Sequence, residues 1–74
     1  MPHMILKITD DLTEENKEKL LNAFAEDMIQ IAGKKPEEIS IQVIKVSKEN
    51  WQKVYDQDVM PNLDLLDRKP GYTM

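Results

Sequence analysis

The chain has no cysteine among its 74 residues and only one histidine, His3. The lack of thiols excludes disulfide bridges, a thiolate nucleophile and zinc–thiolate sites, and one imidazole cannot build a metal cluster. The acidic pairs Asp10–Asp11 and Asp56-x-Asp58 lack the spacing of a calcium-binding loop. The sequence therefore predicts no metal site and no cofactor.

Positive charge is scarce as well. Ten basic residues stand against fourteen acidic ones, which gives a net charge of −4. A nucleic-acid surface needs a basic patch, so we expect no nucleic-acid partner. No apolar run reaches the length of a membrane span, and the N-terminus lacks the pattern of a signal peptide. We therefore expect no membrane partner and a cytoplasmic location.

Glycine is limited to two residues, so there is no glycine-rich phosphate loop. The apolar residues instead mark regular elements. Alternation of apolar and polar residues predicts a strand over residues 3–8. A run rich in Ile and Val predicts a second strand over residues 39–46, which is apolar on both faces. Helical spacing predicts a helix over residues 14–32 between them, with Thr13 as its N-cap and Gly33 ending it in a left-handed turn.

A helix of this length between two strands makes a crossover, so we expect parallel strands and a right-handed connection. After the second strand, Ser47 is predicted to cap a further helix and Pro61 to start a short turn. The chain is thus predicted to be a single α/β domain over residues 1–74, a β-α-β unit with a C-terminal helical segment. Because two strands with free edges are not stable alone, we expect a homodimer with a four-stranded sheet.

Pro2 is the one residue at which chemistry can be argued. A methionine before proline is normally removed, which leaves a secondary amine at the start of a strand. A free α-amino group has a pKa of about 7.7–8.0, and a poorly solvated pocket lowers that pKa by disfavouring the charged form. A neutral amine is a competent general base, and the proline ring restricts its direction. The competing interpretation is that Pro2 is an accident of the N-terminus.

Several segments together resemble the 4-oxalocrotonate tautomerase superfamily. They are MPH before an apolar strand, the helix start TEENKEKL, the strand ISIQVIKV, the following SKENWQ and the ending KPGYTM. The resemblance covers essentially the whole chain and is closest to the short, dimeric bacterial branch. It implies a β-α-β monomer that pairs into a four-stranded sheet, as a dimer or, alternatively, as a trimer of such dimers. It also implies a keto–enol tautomerase whose small-molecule substrate is a 2-oxo acid or an aromatic enol, with Pro2 as general base.

The same resemblance indicates where substrate would bind. Trp51 falls where the family has an aromatic residue lining the pocket. The two arginines that hold substrate in founding members correspond to a position at or near Leu12 and to Ser40, and neither residue is basic. The candidate substrate-binding residues are Trp51, Ser40, His3 and Arg68. Lys7 and Lys45 are further cations that could take the place of the arginines.

Three functions stay open at this point. The first is the tautomerase, which depends on removal of Met1 because a proline nitrogen acylated by methionine is a non-basic amide. The second is a hydratase-like or dehalogenase-like enzyme in which Pro2 is protonated and Asp10 or Asp11 activates water. The third is a non-catalytic dimeric binding or assembly module of the same fold, which the missing arginines favour.

Overall fold

Two strands and one long helix form the body of the subunit in a computed structural model that describes residues 1–74. The elements are β1 (His3–Thr9), α1 (Glu14–Gln30), β2 (Ser40–Val46) and a short α2 (Trp51–Val54). The predicted β-α-β order is confirmed, and each boundary lies within two residues of the prediction. None of the helices combines the length and the apolar character that crossing a membrane requires.

Helix α1 starts and ends where its local sequence predicts. Thr13 is the N-cap, and its hydroxyl oxygen accepts a hydrogen bond from the Asn16 backbone N–H at 3.1 Å, a contact worth about 1 kcal/mol. At the other end Gly33 has a φ of +66°, a conformation that glycine adopts without strain. This turn lets the Lys34 N–H donate at 3.1 Å to the Met28 carbonyl, which also accepts from the Ala32 N–H at 3.2 Å, so the helix ends in a C-terminal capping bond.

Strands β1 and β2 are parallel, as the crossover predicts. They pair in register from His3 opposite Ser40 to Thr9 opposite Val46. Val and Ile dominate β2, and such residues fit a pleated sheet that is covered on both faces. Because the strands run in the same direction, both start at one end of the sheet and both finish at the other.

An ion pair on each face shows which element covers the sheet. Lys45 Nζ lies 2.7 Å from Glu14 Oε1, so α1 covers the face to which Lys45 points. Lys7 points to the opposite face and pairs with Asp58 of the C-terminal helical segment. Helix α1 and the C-terminal helical segment therefore contact opposite faces of the two-stranded sheet, and Ile5, on the face of Lys7, stays 55% exposed.

The C-terminal helical segment is less regular than the sequence predicts. Ser47 does cap a helical turn, but this is a 3₁₀ turn (Lys48–Asn50), and α2 is only four residues long. A π-helical turn (Tyr55–Val59) and a 3₁₀ segment (Met60–Leu65) follow. Pro61 gives the physical reason, because it has no N–H to donate and its ring crowds the carbonyl four residues earlier.

The core of a single subunit is thin. Only Val54 and Tyr55 are buried, at 8% and 4% exposure. The accessible surface is 5816 Å², whereas a compact monomer of this mass has about 4,700 Å². The radius of gyration is 14.0 Å, against about 11 Å for a compact chain of this length. The subunit is therefore open and flattened, with about 1,100 Å² of surplus surface.

Two carboxylates are held in their charged form by neighbouring groups. A hydrogen bond from Lys45 lowers the pKa of Glu14, and one from the Thr9 hydroxyl lowers the pKa of Asp11. A carboxyl whose pKa is lower in the folded than in the unfolded chain stabilises the folded state at any pH above its unfolded pKa. This contribution is lost as the pH falls through the pKa of the folded chain.

The melting temperature is therefore expected to fall as pH drops from about 5 to about 3. The fall should be modest because both groups are exposed. Glu14→Gln removes one of the two carboxyls with a lowered pKa. Its melting temperature, followed by circular dichroism, should therefore fall less steeply with decreasing pH than that of the wild-type protein. Equal slopes for the two proteins would contradict this assignment.

Candidate active site at the amino terminus

Pro2 lies directly before β1 and is already tied to the sheet. Its carbonyl accepts a hydrogen bond from the Ser40 backbone N–H at 3.2 Å, and Pro2 itself is half-buried. Met1 projects away from the fold, with 92% of its surface exposed. The ordered sheet thus begins at Pro2, and removal of Met1 takes no packed side chain from the subunit.

His3 and Ser40 face each other across the start of the sheet. They are partners in the strand register, and His3 Nδ1 is hydrogen-bonded to Ser40 Oγ at 2.7 Å. Both side chains are exposed, and His3 Nε2 has no hydrogen-bond partner within the chain. We call Pro2, His3 and Ser40 the amino-terminal cluster. It brings together three of the five residues that the sequence predicts for the site.

The cations predicted as replacements for the family's arginines are mostly engaged elsewhere. Lys7 is paired with Asp58 and Lys45 with Glu14, so neither ammonium group is free to hold a substrate carboxylate. Arg68 is exposed and forms no ion pair. It is therefore the one cation among these candidates that keeps its charge available.

Trp51 is anchored to the C-terminal tail. Its Nε1–H donates to the Tyr72 hydroxyl oxygen at 3.2 Å, and the Tyr72 ring lies against Tyr55 with centroids 5.9 Å apart and planes tilted by 41°. The chain leaves β2 at the far end of the sheet, about 20 Å along the strands from Pro2. A single subunit therefore does not bring Trp51 to the amino-terminal cluster.

The Trp51–Tyr72 contact gives a direct spectroscopic prediction, because Trp51 is the only tryptophan. Tyr72→Phe removes the hydroxyl acceptor and keeps the ring, so the indole should become more mobile and more hydrated. We expect its fluorescence maximum to move to longer wavelength. Tyr55→Phe deletes a hydroxyl from the other ring of the pair and should leave the maximum in place. An unshifted spectrum in Tyr72→Phe would show that the bond does not hold Trp51.

The acidic residues considered for water activation or cation binding lie elsewhere or are engaged. Asp10 and Asp11 follow β1 and so lie at the end of the strands opposite Pro2. The Asp11 carboxylate accepts a hydrogen bond from Thr9 Oγ1 at 2.7 Å. Asp56 accepts one from Gln52 at 3.0 Å. Within one subunit, no carboxylate of this set is positioned to activate water beside Pro2.

One feature that the sequence did not indicate is an open groove along a flank of α1. Its volume is about 440 Å³. Three of its five lining residues are apolar, and the full set is Leu12, Asn16, Lys19, Leu20 and Ala23. Leu12 precedes the N-cap of α1, and the other four positions recur at helical spacing along one side of that helix. The signal could have been read from Leu12, Leu20 and Ala23, but it merges in the sequence with the stripe that packs on the sheet.

Comparison with known proteins gives full-length relatives, although no family model matches the chain. The chain is 37% identical over 76 residues to Tautomerase PptA from Enterobacter sp. (strain 638). It is 33% identical over 75 residues to Tautomerase PptA from Klebsiella pneumoniae (strain 342), and 32% identical over 75 residues to that from Escherichia coli O127:H6. Each match covers 100% of both chains. The chain therefore belongs to the family of these bacterial tautomerases, within the 4-oxalocrotonate tautomerase superfamily.

Proposed function

We propose that the protein, once Met1 is removed, is an isomerase that interconverts the enol and keto forms of a small molecule. The neutral Pro2 nitrogen accepts the proton of the enol hydroxyl and delivers it to the neighbouring carbon. The carbon–carbon double bond becomes a single bond as the carbon–oxygen bond becomes a carbonyl, and Pro2 returns to its neutral state. No atom is gained or lost and no net oxidation occurs, so the reaction needs no co-substrate or redox partner.

The observation that carries this proposal is the attachment of Pro2 to the sheet. The hydrogen bond from Ser40 N–H to the Pro2 carbonyl anchors Pro2 at the start of the sheet, and a general base must be held at a defined distance from the proton it takes. The exposure of Met1 leaves that residue open to an aminopeptidase. The names of the relatives agree with a proton-transfer activity.

The charges of the predicted site residues favour one class of substrate. Of the predicted cations, Lys7 and Lys45 are neutralised by carboxylates and Arg68 forms no ion pair, so the proposal assigns binding of an anionic group to Arg68. His3 Nε2 is free to meet the enol oxygen or an ordered water. This set suits an enol with one carboxylate and an apolar or aromatic body, such as an aryl enolpyruvate, better than a dicarboxylate. Trp51 would contact the apolar body.

The functional unit in this proposal is a homodimer. The surplus surface of about 1,100 Å² exceeds the roughly 800 Å² that each partner buries in a standard interface. The groove on α1 is apolar and uncovered, and both strands have a free edge. A two-fold axis would pair like edges into a four-stranded sheet and let the two α1 grooves cover each other.

Such a dimer would also complete the site. Like edges related by a two-fold axis run antiparallel, so the start of the sheet in one subunit lies beside the end of the sheet in its partner. Trp51 of one copy would then approach Pro2 of the other. The same contact would remove water from the Pro2 nitrogen, and desolvation favours its neutral, basic form.

The proposal is tested by following ketonisation of an aryl enolpyruvate by ultraviolet absorbance, with protein whose intact mass shows loss of Met1. The expected result is a rate well above that of buffer alone, saturating with substrate. A dicarboxylic enol assayed in parallel should give a lower kcat/KM. A rate equal to that of buffer with both probes would refute the enzyme and favour the non-catalytic binding module.

A further inference from the structure

We infer that Ser40 is a positioning residue for the Pro2 nitrogen and not a contact for substrate. This inference deepens the proposed function and rests on it for its consequence in catalysis. The position of Ser40 corresponds to a substrate-binding arginine in the family resemblance, which suggested the opposite role. The two hydrogen bonds of Ser40 decide between these interpretations.

Ser40 bonds to the main chain of Pro2 and to the side chain of His3. Its backbone N–H donates to the Pro2 carbonyl at 3.2 Å, and its side-chain oxygen is bonded to His3 Nδ1 at 2.7 Å. The proline ring removes one backbone rotation. The rotation that remains, about the Pro2 Cα–C bond, determines where the nitrogen points relative to that peptide group. Anchoring the peptide group fixes the position of the Pro2 Cα atom, so the nitrogen keeps only this one rotation.

The place of these bonds in the sheet explains why a side-chain contact is needed. The bond between Ser40 N–H and the Pro2 carbonyl lies at the open end of a two-stranded ladder, because β1 starts at His3 and β2 at Ser40. Terminal ladder bonds open most easily. The His3–Ser40 side-chain bond joins the first residues of the two strands and opposes that opening, so the nitrogen stays where it can reach substrate.

The contact also leaves the Ser40 side chain poorly suited to bind substrate. The hydroxyl has a single proton. In the His3 tautomer that carries its proton on Nε2, Ser40 Oγ donates that proton to Nδ1 and cannot also donate it to substrate. A residue that acts through Pro2 should alter the chemical step and the titration of the base. A residue that binds substrate should mainly alter KM.

Ser40→Ala separates the two bonds, since it deletes the hydroxyl and keeps the backbone N–H. The expected result is a fall of about tenfold in kcat with little change in KM. The acid limb of the pH–rate profile should move to higher pH, because a less restrained nitrogen is better hydrated and more easily protonated. Ser40→Thr restores a hydroxyl and is compatible with a strand, so it should recover most of both properties.

A second measurement is independent of turnover. In mature protein carrying ¹⁵N-proline, the Pro2 resonance reports protonation of its nitrogen directly. Ser40→Ala and His3→Ala should each raise the Pro2 pKa, and the double variant should raise it no further than the larger single effect, because both remove one bond. This readout decides the role of Ser40 even if the wild-type protein shows no tautomerase activity. Such a lack of activity would refute the proposed function but would leave the inference about Ser40 standing.

Two outcomes would overturn the inference. One is a Pro2 titration in Ser40→Ala that is identical to that of the wild-type protein. The other is a rise in KM with unchanged kcat and an unchanged pH profile, which would make Ser40 a substrate contact. In the first case, an accompanying loss of melting temperature would reduce Ser40 to a structural role.

Discussion

Replacing Pro2 with alanine is expected to lower kcat for ketonisation by about 10²–10⁴-fold, the range typical of losing a general base. The variant still has a terminal amine after Met1 is removed. That amine lacks the ring which restricts the direction of the Pro2 nitrogen, and it is more freely hydrated, which favours protonation. The loss should therefore appear in kcat more than in KM.

The melting temperature of Pro2→Ala should stay close to that of the wild-type protein. The hydrogen bond that ties residue 2 to Ser40 uses the backbone carbonyl, which alanine retains. Pro61→Ala makes the same chemical change at an exposed proline of the C-terminal helical segment and should keep the wild-type kcat. If Pro2→Ala kept more than a third of the wild-type kcat, Pro2 would not be the base.

The second large effect is expected at the groove on α1. Ala23 lines the groove and is exposed in the single subunit, so Ala23→Glu should leave the subunit's own packing intact. In the proposed dimer the two grooves cover each other across a two-fold axis, so two new negative charges would be brought together. Like charges at an interface cost several kcal/mol. We expect the dimer to dissociate at micromolar concentration, as measured by sedimentation equilibrium.

Asn22→Glu is the matched control for this variant. It adds the same charge one residue earlier on α1, at an exposed position outside the groove, and should leave the dimer mass unchanged. Because the proposed site needs Trp51 of the partner, Ala23→Glu should also lose most of its ketonisation activity, while Asn22→Glu should not. A wild-type protein that sediments as a monomer, or two variants that behave alike, would argue against the composite site.

Most of the fold could be predicted because its signals are local. Thr13 before a pair of glutamates marks the start of α1, and Gly33 marks its end. The length of the connection between the strands then requires them to be parallel. The C-terminal helical segment was predicted less well, since its π and 3₁₀ turns depend on how Pro61 breaks the hydrogen-bond ladder and on packing over the sheet.

The site could be predicted only in part, because its contacts join residues that are distant in sequence. Pro2 was identified from its own chemistry. The bond between His3 and Ser40 depends on the strand register, which alternation of apolar residues does not fix for a crossover connection. The pairing of Lys7 with Asp58, which removes a candidate cation, spans 51 positions. Sequence patterns alone do not predict such long-range side-chain contacts, because these contacts depend on the fold.

The central claim is that an unblocked Pro2 nitrogen is the base, and one comparison tests it most directly. Protein made with and without an inhibitor of methionine aminopeptidase would give Met1-bearing and Met1-free forms, identified by intact mass. The two forms share every residue from Pro2 onward, and Met1 is almost fully exposed, so their folds should match. The account predicts ketonisation by the Met1-free form alone. Equal rates from both forms would contradict it, because an amide nitrogen cannot serve as the base.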